Sequence, residues 1–166
     1  QGDYGGVKRE LMSFDLAKRA VDILISMSGP RQHCEIDFFG GEPLLNWEVV
    51  KQTVEYIESI QEEHGKIFKL TLTTNGMLLT QDKIDYVNEH DMSLVLSLDG
   101  REDVHNSMRP SSGGKDTYNT VAKNLVNAVK QRDGREYYVR GTYTHNNWDF
   151  CNDVEAMSEL GLAHWS

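Results

Sequence analysis

Three short stretches of this sequence combine a glycine turn with side chains able to bind a ligand: Phe39-Gly40-Gly41-Glu42-Pro43, Thr73-Thr74-Asn75-Gly76 and Ser97-Leu98-Asp99-Gly100. Each follows a run that reads as a strand. A glycine there lets a ligand approach the backbone closely. In β/α folds, active sites are built at the carboxyl ends of the strands. One such turn is weak evidence, because Asn-Gly and Asp-Gly are common turn formers. Three in consecutive units point together to one binding mouth. Gly40 and Gly41 offer bare backbone, Glu42 a negative charge, and Pro43 a stiff exit. Glu42 has a second role open to it, as a charge at a helix start. Ser97 and Asp99 point the same way, although Asp99-Gly100 also fits a purely structural turn. Asn75 is expected to order its own strand–helix turn first and to touch a ligand second. Arg140 suits a ligand carboxylate or a salt bridge with Asp37, since a bidentate Arg–carboxylate pair serves either.

These residues need elements to hold them, and the pattern supplies an alternation of helices and strands. Ser13 caps a helix with Leu16, Ala20, Ile23 and Met27 on one face, ended by Gly29-Pro30. Residues 35–39 read as a strand. Asn46 caps a long helix with Val50, Val54 and Ile57 at helical spacing, stopped near Gly65. Residues 69–74 form a second strand, and Thr80 caps a short helix containing Ile84 and Val87. Residues 93–98 form a third strand, followed by a loop over 103–110. Asp116 or Thr117 opens a helix with Val121, Leu125 and Val129, closed by Asp133-Gly134. Residues 136–144 read as a fourth strand. Asn147 or Asp149 opens a last helix with Val154, Met157 and Leu160, ending at Gly161, and residues 162–166 could begin a fifth strand. Strands separated by such helices imply parallel β-α units with right-handed crossovers, in one α/β domain over residues 1–166.

Alternation within the strands separates two faces. One carries Ile36, Phe38, Leu70, Leu72, Leu94, Leu96, Leu98, Val139 and Tyr143. The other carries Glu35, Asp37, Thr71, Thr73, Asn75, Ser97, Asp99, Arg140, Thr142 and Thr144. A doubly wound sheet would be apolar on both faces, and a closed barrel is normally packed with branched apolar residues. A polar face containing Asp37 and Arg140, costly to bury without partners, predicts a partly open barrel whose interior binds something. The competing reading is a sheet face that meets solvent.

Composition limits the function classes. The 166 residues carry a net charge of -9, against the basic face that nucleic acid demands. No apolar run approaches a membrane span. The start, Gln1 to Gly6, is polar and glycine-rich, reads as flexible, and has no signal-peptide pattern. Only Cys34 and Cys151 occur, too few for a disulfide scaffold. They read as reduced thiols of a cytoplasmic protein without a metal site.

The stretch Phe38-Phe39-Gly40-Gly41-Glu42-Pro43-Leu44-Leu45 resembles the Gly-Gly-Glu-Pro motif of radical S-adenosylmethionine (SAM) enzymes. The order of Leu72-Thr73-Thr74-Asn75-Gly76 and then Leu96-Ser97-Leu98-Asp99-Gly100 resembles the same superfamily. The resemblance implies a partial (β/α)₆ barrel binding SAM and a [4Fe–4S] cluster at the strand ends. It implies that Gly40, Gly41 and Glu42 hold the SAM amino group and that Ser97 contacts its ribose or carboxylate. The stretch 103–110 resembles the His-Asp-x-x-Arg segment of peptide-modifying members, with Asn106 where Asp is frequent; His105 and Arg109 then brace the loop or touch substrate. Met12-Ser13-Phe14, Asp37 through Pro43 and Arg140-Gly141-Thr142-Tyr143-Thr144 resemble the SPASM branch. That branch includes anaerobic sulfatase maturases and thioether-forming maturases of six-cysteine (SCIFF) peptides.

The resemblance further implies that one electron from the cluster cleaves SAM, giving a 5′-deoxyadenosyl radical that abstracts hydrogen from a ribosomal peptide or protein. The family's C-x-x-x-C-x-x-C loop has no counterpart here. The expectation is therefore a barrel fragment that starts after that loop and the first strand, lacks the later part with auxiliary clusters, is inactive alone, and self-associates through truncated edges. Two other classes fit the residues: a non-catalytic barrel module binding a peptide or nucleotide, and a metal-independent β/α-barrel enzyme acting on a phosphorylated metabolite. The latter predicts a phosphate-binding glycine loop at a later helix start, and none is visible.

Overall fold

The computed structural model describes residues 10–111, 113–145 and 147–165. The start at Gln1 to Gly6 and the final Ser166 lie outside the described residues. The elements run α1 (Phe14–Ser28), β1 (His33–Phe38), a 3-10 turn (Pro43–Asn46), α2 (Trp47–Ile60), β2 (Ile67–Thr74), α3 (Gln81–Glu89), β3 (Ser93–Ser97), α4 (Glu102–Met108), α5 (Tyr118–Lys130), β4 (Tyr137–Arg140) and α6 (Phe150–Glu159). The strands hydrogen-bond in the order β1-β2-β3-β4, with β3 and β4 parallel. The fold is α/β with a parallel sheet, as expected. Packing divides the chain between Thr71 and Leu72 into two compact units, with β2 shared.

In the first unit, Ser13 Oγ accepts the Leu16 N–H at 3.3 Å, the predicted cap of α1. The apolar row of Leu16, Ala20, Ile23 and Met27 is not the buried face of α1. Leu16, Ile23 and Met27 are 53%, 56% and 81% exposed, whereas Ala17 and Val21 are buried. The two rows differ by one position, about 100° around the helix. The rotation is set by partners invisible to periodicity. Phe14 meets the Tyr56 ring edge-on at 6.3 Å, and the Tyr56 hydroxyl donates to Asp22 Oδ1 at 2.5 Å. Residue 46 is the N-cap of α2, but its side chain does not cap; Asn46 Nδ2 donates to the Met12 carbonyl instead. The buried Lys66 ammonium donates to the Gly29 and Arg31 carbonyls at 2.7 Å each, closing the end of α1.

The second unit is built on β3, whose Ser93, Leu94, Val95 and Leu96 are all buried. Its register with β4 pairs Leu94 with Tyr137, Val95 with Tyr138, Leu96 with Val139 and Ser97 with Arg140. Arg132, 2% exposed, ties α3 to the residues just before β3 and β4 by donating to Asn88 Oδ1, the Met92 carbonyl and the Glu136 carbonyl. The fourth strand is shorter than predicted. It stops at Arg140, so Thr142, Tyr143 and Thr144 are not strand residues and Tyr143 is 56% exposed rather than in the core. The predicted loop over 103–110 contains α4 instead. The fifth helix ends at Lys130, before Asp133-Gly134. An expected fifth strand shows its beginning as a parallel bridge from Val139 to Trp165. No helix among the described residues is long and apolar enough to cross a membrane.

Candidate functional site

The Gly40-Gly41-Glu42-Pro43 turn follows β1. Gly40 has a φ of 154°, a conformation that L side chains rarely adopt. A Cβ added at Gly40 or at Gly41 would meet nothing within 4 Å. Packing thus gives no reason for glycine at 41. Glu42 is extended and caps the 3-10 turn, its Oε1 accepting the Leu44 N–H at 3.1 Å. Pro43 at the first helical position lacks an N–H that would otherwise need a partner. The predicted helix-start role of Glu42 is therefore realised, and it fixes the carboxylate beside the two glycines.

The other two turns differ, which corrects the expectation that all three glycines make room for a ligand. A Cβ at Gly76 would fall 2.3 Å from Leu125 Cδ1, and one at Gly100 2.2 Å from Asp153 Cβ. Protein atoms already occupy both spaces. Asn75 orders its own turn as predicted, Oδ1 accepting the Met77 N–H at 2.9 Å. Thr74 Oγ1 accepts the Gly76 N–H, and Asn124 Nδ2 donates to the Gly76 carbonyl.

Ser97 and Arg140 are register partners at the ends of β3 and β4, so their side chains share a face about 5 Å apart. Within this unit, and among the described residues, neither the Ser97 hydroxyl nor the Arg140 guanidinium has a side-chain partner. A hydroxyl beside a guanidinium is a donor set suited to a carboxylate. Asp99 behaves differently. Its side chain is fully buried and accepts from Arg109 Nε at 2.5 Å, Arg109 Nη2 at 3.1 Å and the Thr142 N–H at 2.9 Å.

The loop-bracing role expected of His105 and Arg109 is what the geometry contains. His105, 1% exposed, accepts the Asp99 N–H on Nδ1 at 3.4 Å and meets Tyr118 edge-on at 5.8 Å. Burial pushes its pKa down. Its Nε2 has no partner among the described residues. Asn106 Oδ1 accepts the N–H groups of Thr117 and Tyr118 at 2.9 and 3.0 Å, capping α5 from α4. That role needs an acceptor oxygen, not a charge, so Asn serves where Asp is frequent.

A second polar cluster was not foreseen. Arg101 Nε donates to Asp153 Oδ1 and its Nη2 to Asp149 Oδ1, both at 2.8 Å. These bonds push the Arg101 pKa up and the Asp149 pKa down. Asn147, 3% exposed, donates to the Thr142 carbonyl and Asp153 Oδ2, and accepts the Thr144 N–H. The available signal was Asp149 and Asp153 at i, i+4, which places two carboxylates on one helix face.

At the Gly40-Gly41 turn open space meets bare backbone, which leaves room for a ligand there. Among the described residues no three His, Cys, Asp or Glu gather as ligands for a metal or cluster, Cys34 being buried and Cys151 exposed.

Comparison with known proteins adds family and fold. The family model described as Radical SAM superfamily matches residues 4–146. The radical SAM cyclopropyl synthase TigE of Paramaledivibacter caminithermalis is 25% identical over 168 aligned positions, covering 93% of this chain and 33% of that protein. A cysteine-type anaerobic sulfatase-maturating enzyme of Clostridium perfringens strain 13 is 30% identical over 122, covering 71% and 30%. The solved structure of native anSMEcpe with bound AdoMet superposes with a TM-score of 0.82 at 24% identity, covering 99% of this chain and 44% of that one. Native anSMEcpe with bound AdoMet and the Cp18Cys peptide gives 0.80 at 23%, covering 94% and 43%. The fold agrees with the expected partial barrel. The chain spans about a third of the length of the curated relatives it matches.

Proposed function

This chain belongs to the radical SAM superfamily, and from that premise we propose that it is the SAM-binding core of an enzyme that modifies a ribosomal peptide or protein. The observation that carries the reading is the Gly40-Gly41 turn. Its second glycine answers to no packing contact within the protein, yet it stands beside a fixed carboxylate.

In this reading the backbone of Gly40 and Gly41 approaches the SAM amino group, and Glu42 neutralises its charge. A carboxylate accepts several hydrogen bonds at once, so capping Leu44 is compatible with binding an ammonium. The paired Ser97 hydroxyl and Arg140 guanidinium take the SAM carboxylate or ribose. Asn75 serves by ordering its turn, with ligand contact second. Bound SAM would supply a 5′-deoxyadenosyl radical once one electron from a reduced iron–sulfur cluster, whose ligands are not among the described residues, breaks its S–C5′ bond and releases methionine, and that radical would take hydrogen from the substrate; the residues here bind, orient and exclude water.

The substrate class is proposed to be a peptide, with thioether formation on a cysteine-rich peptide as the finer assignment in a SPASM-type enzyme of the cytoplasm. Sulfatase-maturating relatives and the peptide-bound anSMEcpe structure support the peptide class. Binding of SAM to the intact, anaerobically reconstituted protein tests the core reading. Glu42→Gln and Arg140→Ala should each weaken it by roughly tenfold, the worth of a charge-assisted contact; unchanged affinity in both defeats the assignment. Mass shifts in a cysteine-rich peptide encoded beside the gene test the substrate.

The 166-residue chain alone is proposed to be inactive, because its two cysteines cannot supply three cluster thiolates. Its production of 5′-deoxyadenosine would refute this. Self-association is also proposed, supported by the exposed Leu16, Ile23 and Met27 stripe; a monomer in sedimentation at high concentration would count against it.

A further inference from the structure

We propose that Asp99 and Arg109 are positioning residues, forming a buried clasp that holds the carboxyl ends of β3 and β4 together and keeps Ser97 and Arg140 aligned for a ligand. The proposal rests on the reading that those two side chains receive SAM. The backbone ladder between the strands runs out at the bond from Leu98 N–H to the Arg140 carbonyl, 3.1 Å long. One residue later the chains approach so closely that a Cβ at Gly141 would lie 3.1 Å from the Leu98 oxygen. Beyond that point Thr142 donates its N–H to Asp99 Oδ1 at 2.9 Å. A side-chain carboxylate thus continues the strand pairing.

A carboxylate with a side chain 0% exposed needs a counter-charge. Arg109 supplies it through Nε and Nη2, and Nη2 also reaches Thr142 Oγ1 at 3.4 Å. Arg109 is itself held on both sides of its backbone. Its N–H donates to the His105 carbonyl at 2.8 Å, and its own carbonyl accepts from Thr117 Oγ1 at 2.7 Å. The Asp99 N–H is anchored on His105 Nδ1. The clasp joins the end of β3, the end of α4 and residue 142. Direct ligand contact by Asp99 would require displacing these partners.

The test uses the intact protein, anaerobically reconstituted. In Asp99→Ala and in Arg109→Ala, amide hydrogen exchange at Thr142 should accelerate at least about tenfold, as expected for loss of a charge-assisted hydrogen bond. SAM affinity should fall by a similar factor in each, and the double variant should lose no more than either single one, because both changes open the same clasp. Arg109→Lys, which keeps the charge but not the fork, should fail to restore affinity. Asp99→Asn, which keeps the shape and an acceptor for Thr142, guards against a folding defect and should fall between wild type and Asp99→Ala. Unchanged exchange at Thr142 in Arg109→Ala overturns the clasp. So do additive losses with the larger at Asp99, which would make Asp99 a ligand contact. If exchange accelerates as expected but Ser97→Ala and Arg140→Ala leave SAM affinity unchanged, the clasp stands and the SAM-carboxylate reading fails.

Discussion

The glycine turn after β1 and the two that close β2 and β3 look alike in sequence and differ in space. At Gly76 and Gly100 the missing Cβ is replaced by Leu125 and Asp153, so these glycines let helices α5 and α6 press onto the sheet. At Gly40 and Gly41 nothing replaces it. Glycine after a strand therefore has two physical meanings, close packing or an open approach, and only the neighbours decide between them. Side chains follow the same division. Asp99, Asn106, Asn147 and Asp153 spend their oxygens on the protein's own N–H groups. Glu42 caps its own turn while standing beside unfilled space.

The sharpest way to break this contrast is Gly100→Ala. The new Cβ would overlap Asp153, whose carboxylate accepts from Arg101 and Asn147, and the backbone there has a φ of 98°. Strain and overpacking together should cost about 3–5 kcal/mol, read as a lowered urea midpoint. A cost below about 0.5 kcal/mol, within the usual range of a surface change, would mean the Asp153 packing yields easily. Gly76→Ala should cost less, about 2 kcal/mol, because the atom it meets is the mobile end of Leu125. Leu125→Ala in the same chain should relieve part of that cost, which thermal unfolding of the double variant would detect.

Much of this was legible. The apolar runs of β3, α3 and α5 follow from periodicity, the first residues of α3, α5 and α6 were placed although Thr80, Thr117 and Asp149 make no side-chain cap bond, and Asn75 could be assigned to its turn because an Asx turn is local. What escaped depended on contacts distant in sequence. The rotation of α1 is chosen by Tyr56, 34 positions from its partner Asp22. The fourth strand ends early because Thr142 bonds to a side chain 43 positions away rather than to a ladder carbonyl. The stretch 103–110 lacks the apolar stripe of a helix and yet forms α4, its His105 buried by Tyr118 and its Asn106 engaged at the start of α5. The close packing at Gly76 and Gly100 could not be read from their turns, since their occupants lie 49 and 53 residues further on.

The braced region should also show itself in pH. Burial lowers the folded-state pKa of His105 below its ordinary value. As pH falls through about 6.5, the unfolded chain takes up a proton that the folded chain refuses, so stability is lost on acidification, by at most about 1.4 kcal/mol per pH unit. His105→Phe keeps the edge-on contact with Tyr118 and should flatten that slope below about pH 6.5. An unchanged slope would assign the acid sensitivity to other groups. Asn106→Ala should cost about 1 kcal/mol by uncapping α5. Asn106→Asp, with the same acceptor and a charge favourable at a helix start, should be as stable as the parent or more so. Equal stabilities of Asn106→Ala and the parent would remove the cap from the account.

The smallest stability effect carries the most meaning. Gly41→Ala places a methyl where no atom of the protein lies within 4 Å and no positive φ is recorded. Stability should therefore change by less than about 0.5 kcal/mol, as for a surface substitution, and the melting curve should overlay the parent's. A ligand lying against this backbone would meet the methyl at once. SAM affinity of the intact protein should then fall roughly tenfold or more, the worth of at least one disrupted hydrogen bond. Gly76→Ala should show the reverse, losing stability while the folded fraction binds with parental affinity. If Gly41→Ala keeps both stability and affinity, the open turn is simply unoccupied surface, and the difference between the two kinds of glycine has no functional content.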